Sequence, residues 1–263
     1  MTTDLDQLSV EKRRNKLYCQ IAGLNYEIEY EYPFAKEMFE DYIIPEREAK
    51  KSDEIIQISC TDKEQNVWVE RLGLEVSDYY KEYGCIMSKM AAMFPDYGML
   101  FMHGATIEFN GKAYVFTAPS GTGKTTHISL WKKFLGDNVR VINGDKPVVS
   151  FDEDKVYVHG TPWAGKERWQ INTNAPLAGV CVVERGKTNE IKRINPGEHL
   201  EVFLRQLGMA KGDDALLKVI DLFSKMAERV SFYKLTCDIS EEAAKCSFEM
   251  MTGKDWESSK NEN

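Results

Sequence analysis

The chain has 263 residues, enough for one substantial core or for a core with a small accessory lobe. Hydrophobic residues at 43% and charged residues at 29% are the proportions of a folded globular protein and exclude a disordered or fibrous chain. A formal charge of -8 repels phosphate backbones and argues against nucleic acid as a partner.

The opening stretch MTTDLDQLSVEKRRNK contains no apolar run of the signal type, and no later segment has the apolar length of a membrane span. The expectation is a cytoplasmic chain with no membrane contact. Its cysteines (Cys19, Cys60, Cys85, Cys181, Cys237 and Cys246) form no Cys-x-x-Cys pair. They therefore read as reduced, small core residues and not as a zinc or redox motif. Between 17 and 75 the runs LYCQIAGLNYEIEYEY, EIIQISC and NVWVERLGLEV read as strands, with PFAKEMFEDYIIP a short helix or a loop. Together they predict a small mixed α+β lobe. Over 76–94, Val76, Tyr79, Tyr80, Tyr83, Ile86, Met87, Met90, Met93 and Phe94 recur at helical spacing and predict a buried amphipathic helix.

From residue 99 the pattern becomes strand-rich. MLFMHGATIEF, then Asn110-Gly111, then KAYVFTAP predicts a hairpin, because both turn residues tolerate positive φ. Ile128, Trp131 and Leu135 then mark a helix that stops at Gly136. NVRVING, KPVVSF, KVYVHG, LAGVCVVERG and EIKRI read as further strands. The remainder from Pro196 is mainly helical, interrupted by a strand at SFYKLTC. The polar end over 256–263 reads as a disordered tail.

The stretch FTAPSGTGKTTHISLW, 116–131, carries the chemistry. The phosphate-loop pattern is Gly, four residues, Gly-Lys and then Ser or Thr; Gly123, Lys124 and Thr125 keep its end, and Ala118 replaces its first glycine. Glycines let successive backbone N–H groups turn toward phosphate oxygens at a helix N-terminus. The predicted cradle is Ser120, Gly121, Thr122, Gly123, Lys124, Thr125 and Thr126. Lys124 neutralises the phosphates, and the Thr125 hydroxyl ligates the magnesium that bridges them. Asp145, at the end of the following strand, stands where a second magnesium ligand is needed. The histidines His103, His127, His159 and His199 lack metal-ligand spacing, which excludes a zinc site.

These motifs resemble two related families, the HPr kinase/phosphorylases and the ATP-dependent phosphoenolpyruvate carboxykinases. SGTGKTT (120–126) is similar to the carboxykinase nucleotide loop. MHGATIEFNGKAYVFTAPSGTGKT (102–125) is similar to the HPr kinase run, and VINGDK (141–146) falls where both families carry an Asp-Asp pair. GTPWAGKERW (160–169) and ERVSFYKLTCDISEEAAK (228–245) resemble segments of shorter bacterial HPr-kinase-like proteins. The resemblance spans about 99–250 and departs where Gly144 and Asp145 stand in place of the Asp-Asp pair.

The resemblance implies an α/β fold, a mixed-sheet P-loop core of this type with a small N-terminal α+β lobe. The implied boundaries are an accessory lobe at 1–95 and a nucleotide-binding, kinase-like domain at 96–255. The implied activity is ATP- and Mg2+-dependent transfer of a γ-phosphate to a hydroxyl, on a protein serine or a small metabolite. ATP, GTP and pyrophosphate all stay open as donors, since the loop reads phosphates and not bases. In this scheme Asp145 also orients or deprotonates the acceptor, and Lys166 or Arg168 stabilises the moving phosphoryl group. With one carboxylate at the pair, His103, Asp152 and Glu167 are possible recruits. The alternatives are a nucleotide-binding regulator without transferase activity and a carboxykinase-like enzyme, for which the chain is short. A homo-oligomer is compatible with the resemblance.

Overall fold

A computed structural model describes residues 14–73, 75–208 and 212–260. The chain divides into two compact units, one drawn from residues up to Ile86 and one from Met87 onward, with the turn 21–24 counted in the second.

The first unit begins with β1 (Asn15–Ile21) and β2 (Leu24–Tyr30), joined at Ala22 and Gly23, whose φ values are 51° and 83°. Then come α1 (Pro33–Met38), α2 (Glu46–Ala49) and β3 (Ile56–Ile58), which pairs parallel to β2 in the order β1-β2-β3. The run NVWVERLGLEV, read above as a strand, instead lies largely in α3 (Asp62–Leu72). Thr61 and Glu64 form a reciprocal capping box at its start, and Gly73 closes it in the left-handed conformation. These end signals outweigh the β-branched character of Val67 and Val69. The predicted amphipathic helix is α4 (Asp78–Met93). On it the buried Glu82 carboxylate accepts the backbone N–H groups of Glu31 (2.6 Å) and Tyr32 (3.0 Å) at the entry to α1.

In the second unit β4 (Leu100–Phe101), β5 (Gly104–Phe109) and β6 (Lys112–Thr117) precede α5 (Lys124–Leu135). Asn110 and Gly111 both have positive φ, so the β5–β6 hairpin forms on the predicted turn. Next are β7 (Val139–Asn143), β8 (Val148–Phe151), β9 (Val156–His159), β10 (Asn174–Arg185) and β11 (Glu190–Arg193). The chain closes with α6 (Leu200–Leu204), α7 (Asp213–Arg229), β12 (Ser231–Cys237), α8 (Glu241–Thr252) and α9 (Trp256–Lys260). The nine strands form one mixed sheet ordered β4-β8-β9-β10-β6-β5-β7, with β12 beside β10 and β11 beside β12.

Side chains alternate across this sheet and feed two cores. Val180 and Val182 of β10 join Phe203, Phe223 and Met226 on one face; Cys181 and Val183 join Ile128, Trp131 and Phe248 on the other. A sheet covered on both faces leaves its strand ends as the place for chemistry. β6, β10 and β12 run parallel, and β7 shares their direction because both β7 and β6 are antiparallel to β5. Thr117, Asn143, Arg185 and Cys237 therefore end at one edge, where β5 begins with Gly104.

The tail assignment at 256–263 requires correction over the described part. Trp256–Lys260 is helical, with Trp256 fully buried against Phe248 and its indole N–H donated to Glu241 at 3.1 Å. The Asp255 carboxylate accepts the Ser258 N–H at 2.8 Å, an N-terminal cap within an otherwise polar run. Residues 261–263 lie outside the described residues. No helix among the described residues is long and apolar enough to cross a membrane. Replacing Trp256 by Ala is expected to destabilise the fold by about 3–5 kcal/mol, the usual penalty for deleting a buried aromatic. Urea unfolding of wild type and variant measures this, and a change near zero would return the segment to the status of a tail.

Candidate functional site

Between Thr117 and Lys124 the chain turns sharply from β6 into α5. Gly121 and Gly123 have φ of +76° and +120°, conformations that L side chains rarely adopt. Ala118, at the position of the missing first glycine, is buried in the core and needs no positive φ, so its methyl group is accommodated. Ser120, Gly121 and Thr126 are exposed, and Thr122, Gly123 and Thr125 are half-buried. The Lys124 ammonium is buried and donates to the carbonyls of Ala118 (3.0 Å) and Pro119 (3.5 Å). Burial pushes its pKa down, opposed by the charge of Asp145 and assisted by that of Lys146.

Asp145 lies beyond the end of β7, in a turn held by the buried side chain of Asn143. The Asn143 Oδ1 accepts the N–H groups of Asp145 (2.9 Å) and Lys146 (2.7 Å), while its amide donates to Thr161 O at 2.9 Å. The Asp145 carbonyl accepts from Gly104 N–H at 2.8 Å, tying the turn to the start of β5. His103 precedes β5 and places Nε2 3.2 Å from Asp145 Oδ1; its Nδ1 lies 3.0 Å from Gln206 Oε1. The Lys146 ammonium pairs with Asp145 Oδ2. Burial pushes the Asp145 carboxyl up, but the His103 hydrogen bond and the Lys146 charge outweigh it and bring the pKa down to about 2.

The segment 160–169 packs directly on this turn. A Cβ at Gly144 would stand 2.6 Å from the Ala164 carbonyl oxygen, and one at Gly165 would stand 3.2 Å from the Asp145 Cβ. Position 144 thus has no room for a carboxylate while this segment keeps its course. Lys166 and Arg168 stand exposed on the turn after Gly165, and Arg168 has a φ of 50°. Arg168 lines a groove of about 410 Å³ with Lys132, Arg140 and Gln170, whose described lining includes neither Asp145 nor any residue of 118–125.

The structure therefore brings Lys124, Asp145 and His103 to one edge and leaves Lys166 and Arg168 exposed on the neighbouring turn. Asp152 sits in the β8–β9 turn and Glu167 is exposed beside Lys166. His127 is a core residue bonded to Ser247 at 2.8 Å, and burial pushes its pKa down to about 4. Sequence reasoning missed Asn143, Lys146, Gln206 and Arg185. Of these only Asn143 carried a local signal, since Asn-Gly-Asp favours an Asx turn. A cavity of about 300 Å³ adjoins the loop, lined by Thr122, Thr126, Leu130, Arg185, Asp238 and Ile239 among others.

No cage of three His, Cys, Asp or Glu side chains exists among the described residues. Magnesium needs none, since it is commonly held by one or two carboxylates together with phosphate oxygens and water. Asp145 and the Thr125 hydroxyl fit that donor set, provided Lys146 yields its carboxylate oxygen.

No protein-family model matches the chain, and no curated protein matches it. Among solved structures it is similar to the Hpr(Ser) kinase/phosphatase from Coxiella burnetii, at 7% identity and a TM-score of 0.28. That likeness covers 49% of this chain and 90% of the other.

Two outcomes are expected of this geometry. Gly144→Ala should destabilise the fold by about 1–3 kcal/mol, as forced overpacking does, and denaturant unfolding reads it. For Asp145, a native pKa of about 2 against the ordinary 3.8 means that its contribution is complete above about pH 4. The contribution is lost as pH falls through 2. The stability difference between wild type and Asp145→Asn should accordingly shrink by about 1–2 kcal/mol from pH 5 to pH 2; a difference independent of pH would contradict the pairing.

Proposed function

We propose that the chain is an ATP- and Mg2+-dependent phosphotransferase that moves the γ-phosphate to a hydroxyl of a protein serine or a small metabolite. The observation that carries this reading is that Lys124 and Asp145 share the edge where β6, β7, β10 and β12 end, near enough for the Asp145 charge to act on the Lys124 ammonium, with His103 bonded to the same carboxylate. A glycine-bracketed turn entering a helix supplies backbone N–H groups to an anion, and a carboxylate one strand away supplies a cation ligand.

In this reading the backbone from Ser120 to Thr125 holds the β- and γ-phosphates, and Lys124 leaves its loop carbonyls to neutralise them. Thr125 and Asp145 hold magnesium, which when bound offsets the phosphate charge. Asp145, with His103 fixing its orientation, aligns the acceptor hydroxyl and takes its proton. Lys166 or Arg168, carried on the adjoining turn, stabilises charge on the moving group. The protein acts as a cytoplasmic enzyme on a protein or small-molecule acceptor.

A second reading, a nucleotide-binding regulator without transferase activity, is favoured by one observation. The Ala164 carbonyl leaves no space for a carboxylate at 144, and the single Asp145 is already paired with His103 and Lys146.

Calorimetric titration of ATP with Mg2+ into wild type and Lys124→Ala tests the cradle. Binding that requires Mg2+ and weakens at least about 100-fold in the variant is expected, a difference of about 2.8 kcal/mol. Absence of binding in wild type would end the kinase reading. Asp145→Asn then separates the two readings, since a transferase loses turnover while retaining nucleotide, whereas a regulator shows no transfer in either form.

A further inference from the structure

The exposed side chain of Arg185, at the carboxyl end of β10, reaches the loop from outside. Its Nε donates to the Thr122 carbonyl at 3.0 Å and its Nη2 donates to the Gly121 carbonyl. Two consecutive carbonyls are thus held by one planar fork, whose spacing matches two oxygens side by side. A trans peptide points its C=O and the following N–H in opposite directions. Fixing the carbonyls of Gly121 and Thr122 outward therefore fixes the N–H groups of Thr122 and Gly123 on the opposite side of the loop. The Thr122 N–H closes a turn onto the Pro119 carbonyl at 3.3 Å. The Gly123 N–H continues into the first turn of α5, whose leading N–H groups have no partner within the helix. Neither glycine resists peptide rotation through a side chain, so the restraint has to come from a neighbour.

We infer that Arg185 is a positioning residue that sets the peptide orientations of the anion cradle, so that the loop is pre-arranged for a polyphosphate before one arrives. The inference rests on the phosphate-binding reading of 118–125 but adds a residue outside that motif. It gives Arg185 no contact with the ligand: its charge acts through the loop backbone. Restraining the loop in advance raises affinity by lowering the ordering that binding requires.

The test is calorimetric titration of Mg2+–ATP, and separately of sodium tripolyphosphate, into wild type, Arg185→Lys and Arg185→Met. The Met variant should lose about tenfold, about 1.4 kcal/mol, for both probes alike, because the effect lies in the phosphate cradle and not in a nucleoside contact. Lys, a point donor without the fork, should recover only part of the loss. Millimolar guanidinium ion should recover affinity in Arg185→Met, which repair of a general folding defect would not explain. Wild-type affinity in the Met variant overturns the inference and leaves the phosphate-binding reading standing. A loss confined to Mg2+–ATP also overturns it, by assigning Arg185 to the nucleoside. Failure of wild type to bind either probe removes both.

Discussion

One buried amide holds the candidate site together. Asn143 offers an acceptor to two successive N–H groups and donors to Thr161, whose hydroxyl in turn donates to the Lys146 carbonyl at 2.6 Å and accepts the Trp163 N–H at 3.2 Å. No other side chain of this size supplies two acceptor sites together with two donors. Aspartate in its place would keep the acceptor, lose the donors and add a buried charge. Through this residue the end of β7, the Asp145 turn and the segment after Gly160 become one hydrogen-bonded body. The positions of Asp145, Lys146 and Gly165 all follow from it.

The sheet explains why that body lies where it does. With aromatic cores on both faces, the strand interiors have no free surface, and charged groups can gather only where strands end. The antiparallel strand β5 inserted among parallel neighbours has a specific effect, since its beginning falls at the edge where the others finish. His103 is delivered there by a strand running the opposite way, next to a carboxylate delivered by β7. An acidic chain thus gathers Lys124, Lys146 and Arg185 around one edge, interleaved with Asp145, Glu184 and Asp238.

Much of this was legible because it is local. The Asn110-Gly111 turn, the Gly-Lys-Thr loop and the strands beyond 139 are each specified by residues a few positions apart. The helix α3 was misread because Val67 and Val69 mimic a strand, while the deciding signals, Thr61 with Glu64 and then Gly73, lie at its ends. The helix at Trp256 was missed because its single apolar anchor is buried only by residues distant in sequence. The same limit applies to Arg185, which meets Thr122 across 63 positions, and to Gln206, which meets His103 across 103. No spacing rule connects such pairs. Lys166 and Arg168 entered through resemblance, and the structure places both exposed on the turn after Gly165.

Gly144 and the segment 160–169 are bound by a shared volume, and this bears on how such a chain can change over generations. A side chain at 144 and the present path of Ala164 exclude each other, so neither can be altered alone without passing through a strained protein. Room for a carboxylate at 144 would come only with a different loop path, by an insertion, a deletion or several compensating replacements. The glycine and the loop therefore constrain each other, and a single substitution at 144 carries a stability cost that a change of the loop path would remove.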